Sequence, residues 1–550
     1  MDTIDRPIHR THDVANQPPP LVGYDVAARD AALLEGLRRE GGGWDEDGLH
    51  ALGTRAGSEE AIAWGFDANR NEPELRTHDR YGNRIDEVAF HPSWHRLMEV
   101  AVANGLHGSP WREPREGAHV ARAARFYVWS QAESGHGCPI SMTYASVPVL
   151  RRRADLAALF EPVLTSTTYD PSLRPLREKA GALCGMAMTE KQGGSDVRAN
   201  TTRAEPFDGD TYALTGHKWF CSAPMCDAFL VLAQAPAGLT CFFLPRVLPD
   251  GTRNAFRMQR LKDKLGNRSN ASSEIELDNA LALRVGEEGR GVATIIEMVN
   301  YTRLDCIAGS ASLMRQAFAQ AAHHARHRRA FGALLADQPL MRNVLADLAL
   351  ESEAATALLL RLARAVDRAG TDPEEAAFAR LGIALGKYWV CKRAPMHTGE
   401  AMECLGGNGY VEESIMPRLY REAPVNSIWE GSGNVNALDV LRAIERHPES
   451  LEAYVAEVER AGHAVPALKR ALAAVRSGLA APAATLARDA RRIVEAMALL
   501  LQASLLVRHA PAAVADAFCA ARLGGEGGFA FGTLPPSADT ATILERAWPA

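Results

Sequence analysis

Glu430 stands alone as a carboxylate in Ile428-Trp429-Glu430-Gly431-Ser432-Gly433-Asn434, between a large aromatic and a run of small residues. Such glycines let backbone N–H groups approach a ligand where a Cβ would block it. One carboxylate on a bend of this kind can take a proton from a bound molecule. A glycine-rich turn between helices, with a solvated glutamate, fits the same residues, so the weight must come from the rest of the chain. Four other clusters carry chemistry. Met188-Thr189-Glu190-Lys191-Gln192-Gly193-Gly194-Ser195-Asp196 combines short hydroxyls with paired glycines that permit close approach of a ligand, and a β-turn fits the same residues. Gly216-His217-Lys218-Trp219-Phe220-Cys221-Ser222 ends in a thiol and a hydroxyl. Arg328-Arg329-Ala330-Phe331-Gly332, followed by Gln338, offers guanidinium forks for phosphate oxygens. Glu403-Cys404-Leu405-Gly406-Gly407-Asn408-Gly409-Tyr410 is a glycine cluster. His323 and His327 lie four apart, but no HExxH pattern or nearby carboxylate accompanies them, and no metal site is expected.

The elements that must position these clusters change along the chain. Asn16-Gln17-Pro18 predicts an extended arm on the body or on a neighbouring subunit, ahead of a charged helical stretch from Asp25 to Glu40. Residues 46 to 183 read as helical and alanine-rich. Short runs such as Phe229-Leu230-Val231-Leu232-Ala233, rich in β-branched and aromatic residues and set off by Gly, Pro and Asp turns, then predict strands. Helix returns near Gly291. Asp337-Gln338-Pro339 and Thr371-Asp372-Pro373 are helix starts with proline in the first turn. Composition shifts again after His447-Pro448. The division expected is an arm and helical domain over 1–184, a β domain over 185–288, a helical bundle over 289–446 and a further helical unit over 447–550.

Composition excludes other classes. The 550 residues are 47% hydrophobic and 23% charged, ordinary values for a globular enzyme. A net charge of −6 confines any nucleic-acid contact to a local patch. Met1 to Pro7 lacks the apolar core of a secretory signal, and Ala496 to Val507 is too short to span a bilayer. Nine scattered cysteines without a CxxC pair point to reduced thiols, and a soluble cytoplasmic protein is expected.

The order helical, β, helical, together with the clusters at 188–196, 216–222, 328–338, 403–410 and 428–434, resembles the acyl-CoA dehydrogenase flavoprotein family. The resemblance implies an α+β fold, with a helical domain, a β-barrel or sandwich domain, a helical bundle and, here, an extra carboxy-terminal helical domain. It implies FAD as cofactor. Met186, Met188, Thr189, Gly193, Gly194, Ser195, Trp219, Phe220, Cys221 and Ser222 would lie at the flavin ring. Cys221 stands where relatives often have threonine, which leaves Ser222 to supply the hydroxyl at N5. Arg328 and Gln338 would hold the pyrophosphate, commonly across a subunit interface, with Gly406 and Gly407 at the adenine end; Glu403 replaces the usual glutamine there. Ile428, Trp429, Gly431, Ser432, Gly433 and Asn434 complete the cofactor contacts. Glu430 is implied to remove the α-proton of an acyl-CoA, which needs a dry pocket that raises its pKa and donors for the thioester oxygen. Some relatives place the base just before an arginine on an earlier helix; that position here reads Tyr301-Thr302-Arg303, without a carboxylate. Trp429 replaces the usual tyrosine and would narrow the acyl cavity.

Leu261 to Ser272, Arg418 to Glu422 and Phe90-His91-Pro92-Ser93-Trp94-His95 are more specific, and are similar to an alkylation-response branch of that family. The resemblance implies a homotetramer that binds duplex DNA through its carboxy-terminal domain and has weak dehydrogenase activity. From Gly462 to Ala515, Lys469, Arg470, Arg476, Arg488, Arg491, Arg492 and Arg508 face only Asp489 and Glu495, a local excess of five positive charges. Arg488, Arg491 and Arg492 share a helix face. Lys469, Arg470, Arg488, Arg491, Arg492 and Arg508 are the candidates for phosphate contact, which is sequence-tolerant and salt-sensitive; a solvated helix face reads the same way. Two functions remain open: a DNA-associated flavoprotein that oxidises or shields against alkylating agents, or a metabolic dehydrogenase of a short or branched acyl-CoA whose tail only builds the tetramer. A redox-dead scaffold is a third.

Overall fold

The computed structural model describes residues 11–462 and 465–549; the expectation for Met1 to Pro7 lies outside them. Helices Ala31–Arg39 through Ala154–Leu164 form the first layer. The all-helical expectation for this part fails at one place, a hairpin of Glu74–His78 and Arg84–Ala89. Asp79 closes its turn by accepting from the N–H groups of Tyr81 and Asn83 at 2.8 and 2.9 Å. The hairpin is pinned to the next layer: Asp86 accepts from the Met258 N–H at 3.0 Å, and Arg246 donates to the Asp86 carbonyl at 2.8 Å.

The β layer contains seven strands between Cys184 and Val285. Ala228–Ala235 pairs antiparallel with Gly238–Pro245, which pairs with Ser272–Val285, then Thr211–Ser222, then Arg203–Asp208. Arg203 pairs back to Gln234, so these five strands close into a barrel. Closure removes the free edges that an open sheet would present. Cys184–Ala187 adds in parallel beside Ala228–Ala235, and Phe256–Leu261 beside Ser272–Val285.

Three long helices, Gly291–His327, Pro339–Arg368 and Pro373–Glu403, build the bundle. The first is central and buried nearly all round; Ala308, Gly309, Ser310, Ala311 and Ser312 give its neighbours close approach. The third starts on Asp372, whose carboxylate accepts from the Glu374 and Glu375 N–H groups. Glu430 lies between this bundle and helix Gly433–Arg446, which sits on Pro373–Glu403.

The chain breaks at His447 between helices Gly433–Arg446 and Pro448–Glu459, yet packing continues across the break. Glu457, buried, accepts from Arg361 of the bundle at 2.9 Å. Trp389 donates its indole N–H to Gln502 at 3.0 Å, and Tyr454 donates to the Met497 carbonyl at 2.8 Å. All nine cysteines are buried and unpaired. Among the described residues no helix is long and apolar enough to cross a membrane.

Candidate active site

Glu430 occupies a left-handed backbone conformation, φ +56°, followed by Gly431 at +95°. A non-glycine residue there is strained and must be held by its surroundings. Two cations hold it, and a third holds Asn434 just beyond. Arg303 Nε donates to the Glu430 carbonyl at 3.0 Å while its Nη1 pairs with Asp439 at 2.6 Å. Lys387, fully buried, donates to the Trp429 carbonyl at 2.7 Å and also to that of Gly431. Arg491 Nε donates to Asn434 Oδ1 at 2.8 Å. Asn436 Nδ2 adds a bond to the Gly431 carbonyl at 2.6 Å.

The carboxylate itself accepts from Thr302 Oγ1 at 2.7 Å through Oε2. Oε1 has no protein partner among the described residues. Burial pushes the Glu430 pKa above the ordinary glutamate value, while the Thr302 hydrogen bond and the charges of Lys387 and Arg303 pull the other way. One oxygen anchored, one free and a pKa raised above the ordinary glutamate value describe a carboxylate placed to take a proton. Trp429 bonds Asn426 Oδ1 through its indole N–H at 3.1 Å. Ile428 is 63% exposed.

The 188–196 and 216–222 clusters meet at the barrel. The Trp219 N–H donates to the Thr189 carbonyl at 2.8 Å, and the Lys191 N–H donates to His217 Nε2 at 3.0 Å. Beneath them Glu190 and Lys218, both fully buried, form an ion pair at 2.8 Å. Glu190 also accepts from the backbone and hydroxyls of Thr201 and Thr202. Burial alone would raise the Glu190 carboxyl, but Lys218 and these donors hold it at about 2. Met186 and Met188 lie half-buried at the edge of the barrel, with the Met188 carbonyl accepting from Asn200 Nδ2 at 2.8 Å. Gly193, Gly194 and Ser195 form the open turn, and a Cβ at Gly193 would meet nothing within 4 Å. Cys221 turns its thiol into the core, where burial pushes it up to about 12. Phe220 is 49% exposed, and Ser222 is half-buried against Ser272 at 3.2 Å.

The remaining two clusters are tied together by the arm, which lies on the body. Arg328 Nη1 donates to the Asn16 carbonyl at 2.5 Å, Asn16 and Arg329 exchange two bonds at 2.7 and 2.9 Å, and Asn408 donates to Gln17 at 3.3 Å. Gln338 donates to the Ala330 carbonyl at 3.2 Å. At Gly406 and Gly407 a Cβ would enter open space, so the backbone there is bare to a ligand. His323 spends Nε2 on the Pro19 carbonyl at 2.8 Å.

In the tail, Lys469 and Arg470 are exposed, and Arg488 and Arg492, 73% and 80% exposed, pair only with Asp489 among the described residues. Arg508 departs from the expectation. Its guanidinium bonds the buried Glu457 carboxylate at 2.6 Å, in the same network as Arg361. It braces the tail against the bundle and is not free for phosphate.

Sequence reading missed Lys387, Thr302, Arg303, Asp439 and the structural roles of Glu190 and Lys218. Lys387 carried a usable signal, a lone lysine inside the apolar run from Ile383 to Cys391. It also left open what joins the stretches 261–272 and 418–422. Glu422, buried, accepts from the Asn267 N–H and side chain at 2.5 and 2.8 Å, and burial raises it to about 6.

Three family profiles cover most of the chain: the adaptive response protein AidB N-terminal domain at residues 16–171, and the acyl-CoA dehydrogenase middle and C-terminal domains at 185–280 and 289–445. The chain is 53% identical over 441 residues to the Escherichia coli (strain K12) protein named AidB, an acyl-CoA dehydrogenase by name, covering 80% of this chain and 81% of that one. It is 32% identical to acyl-CoA dehydrogenase family member 11 of Caenorhabditis elegans, over 72% of this chain and 66% of that protein. In structure it is similar to Caenorhabditis elegans ACDH-11 in complex with C11-CoA, with a TM-score of 0.83, 28% identity and coverage of 98% and 93%.

Proposed function

Since this chain belongs to the acyl-CoA dehydrogenase family, in the branch that carries the AidB N-terminal domain, we propose that it is an FAD-dependent oxidoreductase of acyl-CoA dehydrogenase type that also binds duplex DNA in the cytoplasm and takes part in the response to alkylation damage. The observation that carries the enzymatic part is the Glu430 carboxylate, with Oε2 on Thr302, Oε1 unpaired and its backbone fixed by Arg303 and Lys387.

The residues fit FAD. Bare backbone at Gly193, Gly406 and Gly407 suits a flat or anionic ligand, and the joined 189 and 219 segments offer the short donors a flavin edge needs. Thr189, Gly194, Ser195, Trp219, Phe220 and Ser222 would hold the ring; Arg328 and Gln338 would hold phosphate. When bound, FAD supplies the acceptor for hydride from the substrate β-carbon. Glu430 Oε1 takes the α-proton. Thr302 keeps the carboxylate in register, and Trp429 bounds the acyl cavity. Phe331, Leu340 and Tyr410, 101%, 77% and 78% exposed, flank the 328–338 and 406–410 clusters. Bare apolar side chains beside cofactor-binding residues support a homotetramer in which a second copy completes each site.

For DNA the support is the exposed set Lys469, Arg470, Arg488, Arg491 and Arg492 together with the likeness to AidB. Its test is salt. With about five phosphates neutralised, the slope of log K against log salt is expected near −4 to −5, and each single substitution to alanine should reduce it by about 0.9. A slope near zero would defeat the DNA reading. Arg508→Ala should leave the slope unchanged while destabilising the fold by about 1–3 kcal/mol, read by chemical denaturation, because Glu457 loses a charged partner. Such variants are preferable to cutting the chain near Ile444, which would take Gln502 from Trp389 and Glu457 from Arg361.

The second reading, a metabolic dehydrogenase without a DNA role, is favoured by one observation. The likeness to ACDH-11 with C11-CoA spans 98% of this chain, tail included. Anaerobic titration with acyl-CoAs of graded length decides it: rapid, complete flavin bleaching together with salt-insensitive or absent duplex binding would establish this reading.

A further inference from the structure

Arg491 belongs to two places at once. It lies on helix Ala483–His509 between Arg488 and Arg492, on the exposed basic face. Through Nε it also donates to Asn434, four residues past Glu430 and in the first turn of helix Gly433–Arg446. The approach is close. A Cβ at Gly433 would stand 3.3 Å from Arg491 Nη2 and 2.9 Å from Lys392 Cε, so both cations lie directly over this turn. Ser432, at the helix cap, makes no side-chain cap bond. The tail helix cannot drift from this contact, because Ile493, Val494 and Met497 are buried and Gln502 is bonded to Trp389.

A guanidinium has two usable edges. The Nε edge of Arg491 is committed to Asn434, while its Nη atoms have no protein partner among the described residues. A phosphate on the terminal edge would therefore fix the side chain in the orientation that already holds Asn434. We propose that Arg491 is a positioning residue linking the basic face to the Glu430 segment, so that a polyanion on the face and FAD at the segment bind with positive coupling. The coupling half rests on the reading of the face as a phosphate surface; the positioning half does not. Coupling is reciprocal: whatever factor the duplex adds to FAD affinity, FAD adds to duplex affinity.

The test uses the full-length, FAD-loaded protein and a short random-sequence duplex. Saturating duplex is expected to tighten FAD binding about fivefold, the low end of usual coupling, followed by flavin fluorescence on dilution. Arg491→Ala should loosen FAD several-fold without duplex, shift the flavin absorption band and abolish the duplex effect. Arg492→Ala, on the same face but away from Asn434, should weaken duplex binding and leave FAD retention alone. Arg491→Lys should recover duplex affinity without the coupling, since one ammonium cannot present two opposed edges. If duplex binds and FAD retention does not change, the linkage is wrong and the DNA reading stands. If duplex does not bind at all, the DNA reading fails and takes the linkage with it. If Arg491→Ala keeps FAD and the wild-type spectrum, the positioning role is wrong.

Discussion

Glu430→Gln is expected to slow acyl-CoA-driven flavin bleaching by about three orders of magnitude while FAD stays bound. General-base catalysis is typically worth about 10²–10⁴, and an amide cannot take the α-proton. Glutamine can still accept the Thr302 hydroxyl through its carbonyl oxygen, and the main-chain bonds from Arg303 and Lys387 do not depend on the side chain. The loop should therefore keep its shape, and stopped-flow absorbance should separate lost chemistry from lost cofactor. Bleaching at the wild-type rate would remove Glu430 from the reaction. The pH dependence gives an independent reading. The base works ionised, and burial raises its pKa, so the wild-type bleaching rate should climb with pH and level off above the ordinary glutamate range of about 4.3. Thr302→Val removes the bond that stabilises the ionised form and should move the rise to higher pH.

What the sequence disclosed depended on whether a function was written in one stretch. The clusters at 188–196 and 216–222 are contiguous, so their likeness to the family's flavin-contacting segments stands in the sequence itself. The distant partners could not. Nothing in Trp429-Glu430-Gly431 announces that a lysine forty-odd residues earlier bonds its carbonyls, because a main-chain acceptor has no sequence signature. The N-terminal hairpin was missed for a related reason: Arg84-Ile85-Asp86-Glu87 is charged and half-exposed, and its strand identity comes from pairing and from Asp86 reaching Met258. Arg508 shows the limit of counting charge. It sits in the same basic stretch as Arg488 and Arg492, but helix Ala483–His509 turns it inward to Glu457. The extended arm at Asn16-Gln17-Pro18 was legible as an arm; that it fastens Arg328 to the Asn408 loop was not.

The charged residues inside the 188–196 and 216–222 clusters lead to the largest expected loss of stability. Glu190 and Lys218 lie within those clusters, and both are fully buried and face each other at 2.8 Å. Lys218 also donates to the Leu232 carbonyl at 2.7 Å, which ties strand Thr211–Ser222 across the barrel. Lys218→Met should cost about 3–5 kcal/mol, because it leaves the Glu190 carboxylate buried with hydroxyl and N–H donors but no countercharge. Glu190→Gln should cost less, since the amide still accepts from Thr202 and Lys218 can keep its bond to Leu232. The double variant should recover part of the loss, as expected for two residues acting as a pair. Denaturant unfolding followed at the tryptophans measures all three. Because Trp219 hands its N–H to Thr189 directly above the pair, Lys218→Met should also release FAD faster, although Lys218 itself touches no cofactor in this reading. Stability within about 1 kcal/mol of wild type for Lys218→Met would mean that the carboxylate finds water or a proton at little cost, and that the two flavin segments are held together by their backbone bond alone.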